Sequence, residues 1–171
     1  ERSLINAFKY IVANRPEKIA IITERSQMSY QDILNLVAAL EVQVTTHGIR
    51  AGQTILFQSN RGELNIAMAI LASIKSLTLI FSGISKATLS GIDFDYAITT
   101  EPEEAGSRGD IILVDESWFS LIGMVSFSEN KRPQVEPASF VFSTSGTTGN
   151  PKFCKTGEAP FMEEMSTMSS H

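Results

Sequence analysis

The sequence predicts an α/β domain whose mainly parallel sheet is flanked by helices. Short apolar runs alternate with amphipathic helical segments along the chain, as in a sheet whose strands are joined by helices. The apolar runs are continuous rather than alternating with polar residues, and this indicates strands buried on both faces, as parallel strands are. The strand candidates are residues 19–22, 54–57, 77–81, 96–99, 111–114 and 139–143.

The composition is that of a folded domain with one substantial core. Of the 171 residues, 43% are hydrophobic and 19% are charged, which excludes a disordered tail or a collagen-like repeat. The formal charge of −5 argues against nucleic acid as a partner, because phosphate neutralisation requires a basic surface. The longest apolar stretch, residues 66–81, is shorter than the roughly 20 residues of a membrane span. Since the N-terminus also lacks a secretory signal, we expect a cytoplasmic protein with no membrane span.

Two helices are expected before the second strand candidate. Apolar residues on one face predict the first helix over residues 4–12. Ser29 and Asp32 have the spacing of a capping box and predict the start of the second helix, which Gly48 ends. The apolar face of this second helix consists of Tyr30, Ile33, Leu34, Val37, Leu40 and Val44.

A third helix is expected over residues 62–76, with Ser59 and Asn60 as candidate caps. It is apolar nearly all round, so we expect it to be covered on most sides. Two polar stretches rich in glycine, proline and charge, residues 101–110 and 129–137, are interpreted as surface loops. Further along, apolar residues between 161 and 168 have the spacing of a final helix.

Several isolated residues that could carry chemistry have simpler structural interpretations. His47 precedes the glycine that ends the second helix, where an imidazole can meet the last carbonyl groups, so a capping role is expected. Trp118 is interpreted as a core anchor, and the single cysteine, Cys154, as a buried structural residue. With two histidines and one cysteine in the chain, no metal site of the zinc type is expected.

One segment has the composition of a polyphosphate-binding loop. Residues 141–152 read Val-Phe-Ser-Thr-Ser-Gly-Thr-Thr-Gly-Asn-Pro-Lys and follow directly from a strand candidate. The glycines let the backbone approach an anion, the hydroxyl groups donate hydrogen bonds, and Lys152 adds a compact positive charge. The segment is not a Walker A loop, because Pro151 and Phe153 stand where that loop requires Gly and Ser or Thr.

The same segment, together with what precedes it, resembles the AMP-forming adenylating superfamily of acyl-CoA synthetases, luciferase-type ligases and nonribosomal peptide synthetase adenylation domains. Residues 143–152 are similar to the phosphate-binding signature of that superfamily. Residues 15–20, 28–33, 48–53 and 69–72 occur in the order of further superfamily segments. The resemblance implies that residues 1–171 are a truncated N-terminal part of the large domain, ending just after the phosphate-binding loop 143–152.

This resemblance implies an ATP-dependent ligase of the acyl-CoA synthetase type. The expected reaction joins a small-molecule carboxylic acid to ATP, giving an acyl-adenylate and pyrophosphate, and then passes the acyl group to coenzyme A or to an acyl or peptidyl carrier protein. Lys152 is implied as the catalytic residue, with Mg²⁺ held by residues beyond 171. The residues implied to bind the β- and γ-phosphates are Thr144, Ser145, Gly146, Thr147, Thr148, Gly149 and Lys152.

Two departures from the superfamily pattern leave a second interpretation open. The superfamily usually has a Lys-x-Gly-Ala turn after the third helix, and Leu77 stands here in place of its glycine. The adenine, magnesium and ribose elements and the catalytic lysine of the small C-terminal domain have no counterpart in these residues, so the 171 residues alone are expected to be inactive. The alternative is a noncatalytic, degenerate module that binds a nucleotide or a protein partner.

Overall fold

The computed structural model describes residues 10, 13–14, 17, 19–22, 27–105, 109–125, 138–144 and 152–157. The predicted first helix, apart from Tyr10, lies outside these residues, as do the predicted loop 129–137 and the predicted final helix. Within the described part of the chain, no helix is long and apolar enough to cross a membrane.

The main sheet has six strands in the order β6-β5-β3-β4-β7-β8. Its first five strands are parallel, and β8 runs antiparallel to β7 at one edge. The prediction of a mainly parallel sheet is therefore confirmed. The strand bounds are β3 Thr54–Gln58, β4 Thr78–Phe81, β5 Tyr96–Thr99, β6 Ile111–Leu113, β7 Ser139–Thr144 and β8 Lys152–Thr156.

Residues 19–22 form a strand, as predicted, but not one of the parallel sheet. This strand, β1 (Ile19–Ile22), pairs antiparallel with β2 (Gln27–Ser29) in a separate two-stranded sheet. The strand itself is therefore confirmed, and the structure shows which sheet it joins. Four residues separate the two strands, which is far fewer than the dozen or so that a parallel crossover requires.

Helix α1 (Tyr30–Thr46) begins and ends as the sequence predicts. Ser29 Oγ accepts from Asp32 N at 3.1 Å, and Asp32 Oδ2 accepts from Ser29 N at 2.9 Å, which completes the capping box. At the other end Gly48 has φ +81°, a conformation that L side chains rarely adopt. His47 places Nδ1 2.8 Å from Gln43 O, so its predicted capping role is confirmed.

Helix α2 (Gly62–Lys75) lies where the third helix was predicted, but its predicted caps are wrong. The N-cap is Arg61, whose side chain makes no capping hydrogen bond. Ser59 lies too far upstream to reach the first helical turn, and its Oγ instead accepts from Arg61 N at 3.0 Å. Asn60 is exposed. The Ser59 hydroxyl group, predicted to be a cap, therefore makes its hydrogen bond within the turn between β3 and α2.

Two further short helices follow, α3 (Ile84–Leu89) and α4 (Pro102–Ala105). Helix α4 corrects the prediction that residues 101–110 form only a loop, since proline is well suited to the first helical position. A 3₁₀ turn over Glu116–Trp118 follows β6 and buries Trp118, which is 2% exposed, so its predicted anchoring role is confirmed.

The sheet is covered on both faces, as its continuous apolar strands predict. On one face α1 and α2 bury Ile55, Phe57, Leu79 and Phe140. On the other, α3 covers a smaller cluster of Leu56, Ile80, Ile84, Ala87 and Ala97. Neighbouring residues of one strand thus enter different clusters, which is the alternation that the pleat of a strand imposes.

The turn from α2 into β4 is made without the glycine that the superfamily usually has. Ser76 has φ 56° and ψ 50°, the left-handed conformation, and its N–H donates to Ala72 O as the C-cap. Leu77, which replaces the glycine, is 1% exposed in the core, and β4 begins at the next residue. The departure in the sequence therefore leaves the strand in register.

We expect Ser76→Gly to stabilise the chain by about 1 kcal/mol. A left-handed L residue costs roughly 1–2 kcal/mol, and the greater conformational freedom of glycine in the unfolded chain offsets part of the gain from removing that cost. Thermal unfolding should show a rise of about 3 °C for a domain of this size. Ser90→Gly is the matched control, since Ser90 is the C-cap of α3 with φ −85°. Equal stabilisation by both substitutions would contradict the assignment of strain to Ser76.

Candidate functional site

Polar residues collect where the five parallel strands end. Parallel strands bring their carboxyl ends to one edge of the sheet, and open α/β sheets bind their ligands outside that edge. The apolar strands give way there to hydroxyl, amide and carboxylate side chains. These residues are Gln58, Ser59, Ser82, Thr99, Thr100, Asp115 and, at the end of β7, Thr144.

The two ends of the predicted phosphate-binding loop meet at this edge. Thr144 is the last residue of β7 and Lys152 the first of β8, and the two are Cα partners in the antiparallel register. Partners in such a ladder have Cα atoms about 5 Å apart. The structure thus brings together the first and last of the predicted phosphate-binding residues. Ser145, Gly146, Thr147, Thr148 and Gly149 lie outside the described residues.

A topological switch point lies beside this hairpin, between β3 and β4. Helix α2, which follows β3, packs on one face of the sheet, while α3, which follows β4, packs on the other. Diverging connections of this kind open a crevice at the carboxyl ends of the two strands, where many α/β proteins bind a ligand.

In this chain the side chain of Gln58 lies at the carboxyl ends of these strands. Gln58 Oε1 accepts from Ile84 N at 3.3 Å and from Thr99 Oγ1 at 3.3 Å, so one amide joins the turns after β3, β4 and β5. Its Nε2 lies 3.6 Å from the position of a Cβ built on Gly83, and Gln58 O accepts from Thr100 N at 3.1 Å. The sequence analysis missed Gln58, although a polar residue directly after an apolar run was a signal.

The charged groups near this edge are held by neighbouring side chains. Arg61 Nε donates to Glu63 Oε1 at 2.7 Å, and the guanidinium carbon lies 5.0 Å from the centre of the Phe119 ring. The Ser117 hydroxyl and N–H both donate to Asp115 Oδ1, which lowers the pKa of Asp115 below its usual value. No group of three or more His, Cys, Asp or Glu that could hold a metal ion occurs among the described residues.

Comparison with solved structures shows which proteins share this fold. VinN in complex with 3-methylaspartate matches with a TM-score of 0.75 at 16% identity, over 99% of this chain and 51% of the VinN chain. The N-terminal subdomain of Klebsiella oxytoca NpsA in complex with 3-hydroxybenzoyl-AMSN matches with a TM-score of 0.69 at 17% identity, over 92% of this chain and 41% of the other. NpsA artificially fused to ThdA, described as an adenylation–PCP di-domain, matches with a TM-score of 0.67 at 16% identity, over 92% and 33%.

The chain has the fold of an adenylation-domain N-terminal subdomain. The predicted resemblance to the AMP-forming adenylating superfamily is therefore confirmed at the level of the fold.

A sequence relative agrees with this assignment. The hybrid PKS-NRPS synthetase apdA of Emericella nidulans is 25% identical over 159 residues, which is 88% of this chain and 4% of the synthetase. No protein-family model matches the chain. The chain thus spans a small fraction of the synthetase and about half or less of the VinN and NpsA chains.

We expect Gln58→Met to destabilise the adenylation-type subdomain by about 2 kcal/mol, because it leaves Ile84 N–H and the Thr99 hydroxyl without their acceptor at a buried position. Urea unfolding measures this loss. Gln31→Met is the matched control, since Gln31 donates only along α1 to Asn35 Oδ1, and should cost less than about 0.5 kcal/mol. A Gln58 variant as stable as the control would show that the crevice does not depend on this amide.

Proposed function

We propose that this chain is the N-terminal part of an ATP-dependent carboxylate-activating ligase. The enzyme would form an acyl-adenylate and pyrophosphate from ATP and a small-molecule carboxylic acid, and then an acyl thioester. One observation carries the proposal: on an adenylation-type fold, the segment rich in hydroxyl residues and glycine starts and finishes at paired strand residues on the carboxyl edge of the sheet.

In this proposal the loop holds the triphosphate while pyrophosphate departs. Thr144, the segment 145–149 and Lys152 surround the β- and γ-phosphates, with backbone N–H groups and hydroxyl groups as donors. Negative charge builds on the leaving pyrophosphate as its bond to the α-phosphate breaks, so a lysine close to it stabilises the transition state more than the bound substrate. Mg²⁺, held by residues beyond 171, would neutralise part of the same charge.

The acyl acceptor divides the proposal into two subclasses. The sequence resemblance leads us to propose the acyl-CoA synthetase type, with either coenzyme A or a carrier protein as the acceptor, over an amino-acid-activating domain. Of the two acceptors, the names of the similar proteins favour a carrier protein, since they include a hybrid PKS-NRPS synthetase and an adenylation–PCP di-domain. The cytoplasmic location and the absence of a nucleic-acid partner stay predictions.

The noncatalytic alternative loses one of its supports. It rested in part on the missing glycine at Leu77, which could have disturbed the strand that follows. Ser76 adopts the left-handed conformation in that turn, and β4 pairs with both β3 and β7 along its whole length. The departure therefore gives no structural reason for a loss of activity.

In the full-length protein, Lys152→Ala should lower carboxylate-dependent ATP–pyrophosphate exchange about a hundredfold, because a charged donor to the leaving pyrophosphate is removed. Thermal stability should change little. Lys155→Ala is the control, since Lys155 is an exposed lysine of the same strand, paired with Val141 away from the loop. Wild-type exchange in the Lys152 variant would refute the proposed role.

The 171 residues alone should bind ATP weakly or not at all and should not catalyse exchange. The adenine- and magnesium-binding elements that the resemblance implies have no counterpart among them, so the loop would contact only the phosphates. Isothermal titration calorimetry with MgATP measures this directly. Tight binding by the isolated chain would place the nucleotide site elsewhere than we propose.

A further inference from the structure

We propose that a pair of stacked rings, Phe81 on β4 and Phe142 on β7, is a positioning element for the triphosphate-binding loop. The inference rests on the proposed function of that loop. It concerns two apolar side chains at the base of the hairpin, which bind no phosphate themselves and act through the backbone of β7.

The two rings are held by the pairing of their strands. Phe81 and Phe142 are Cα partners in the parallel register of β4 and β7. Their ring centres lie 5.2 Å apart with an angle of 13° between the ring planes. Both side chains are half-buried and pack against the larger core cluster. Aromatic pairs at this separation contribute stabilisation beyond the area they bury, and this contribution depends on their relative position.

The stack lies at the point where β7 leads into the loop. Phe142 precedes Thr144 by two residues, and across the hairpin it is the Cα partner of Cys154, two residues after Lys152. A slip of β7 by one residue would move Phe142 to the other face of the sheet and separate the rings. The stack therefore opposes any shift of β7 along β4, and with it any shift of both loop ends.

The position of the two loop ends matters because the loop is proposed to act by placing its hydrogen-bond donors and its lysine around the triphosphate. A displacement of about 1 Å between a catalytic group and its substrate can cost as much as a hundredfold in rate. By fixing the base of the hairpin, the two rings would hold Thr144 and Lys152 at fixed positions along the strand direction at the carboxyl edge. Triphosphate affinity, rather than the affinity for the carboxylic acid, should then respond to the loss of the stack.

The test is ATP–pyrophosphate exchange in the full-length protein, with the KM for ATP and the KM for the carboxylic acid measured separately. Phe142→Leu and Phe81→Leu should each raise the KM for ATP about tenfold and leave the KM for the acid within about twofold. The double variant should be no worse than either single one, since both remove the same stack. Phe142→Tyr keeps a ring and should restore the wild-type KM for ATP.

Phe140→Leu is the matched control for a purely structural effect. Phe140 is fully buried on the same strand, and its ring centre lies 6.5 Å from that of Phe81, but it lies four residues before Thr144. It should lower the melting temperature at least as much as Phe142→Leu while leaving the KM for ATP within about twofold of wild type. An equal rise in that KM for the Phe140 variant, or no rise for the Phe142 and Phe81 variants, would overturn the inference.

Lys152→Ala in the same assay separates this inference from the proposed function. If it abolishes exchange while Phe142→Leu leaves the KM for ATP unchanged, the loop binds triphosphate without help from the stack. If it leaves exchange intact, the proposed role of Lys152 in the loop fails, and the positioning role of the stack fails with it. Absence of carboxylate-dependent exchange in the wild-type protein would instead contradict the proposed function itself.

Discussion

The burial of the parallel sheet on both faces is the constraint from which the rest of this structure follows. A strand covered by helices on either side has no solvent-exposed face on which polar residues could lie. Residues 55–57, 79–80 and 97–98 are all apolar and all buried. Polar groups are therefore confined to the ends of the strands. Because the strands are parallel, the polar residues that follow each strand lie at the same edge of the sheet. The candidate site lies at that edge because polar side chains are excluded from the strands.

Gln58 is one of the polar residues at that edge, and its hydrogen bonds show a structural role. A crevice between diverging crossovers exposes the first backbone N–H groups of the turns beside it. Gln58 supplies an acceptor to Ile84 N and to the fully buried Thr99 hydroxyl.

The features that the sequence could predict are those that depend on residues close together in the chain. The capping box at Ser29 and the left-handed Gly48 depend on residues within a few positions of each other, and both were found. The five parallel strands were recognisable because burial on two faces leaves a continuous apolar run. Three other features depend on contacts between residues distant in sequence or on which strand lies beside another. They are the pairing of β1 with β2, the hydrogen bonds of the Gln58 amide, and the strand β8. Lys152–Thr156 contains two lysines, which suit an edge strand, but only its contact with β7 makes it one.

The direction of β8 bears on how a single lysine can serve the proposed loop. After each of the earlier parallel strands the chain returns by a crossover to the beginning of another strand. A lysine at the end of such a crossover would lie a strand's length away from the first hydroxyl group of the loop. An antiparallel return brings residue 152 back opposite residue 144 after only seven intervening residues. In a Walker A loop the lysine instead stands at the start of the helix that follows the loop. In this chain the pairing of β7 with β8 brings together the first and last residues of the proposed loop. Under the proposed function, the register of β7 and β8 would set the position of the lysine, as the start of the helix does in a Walker A loop.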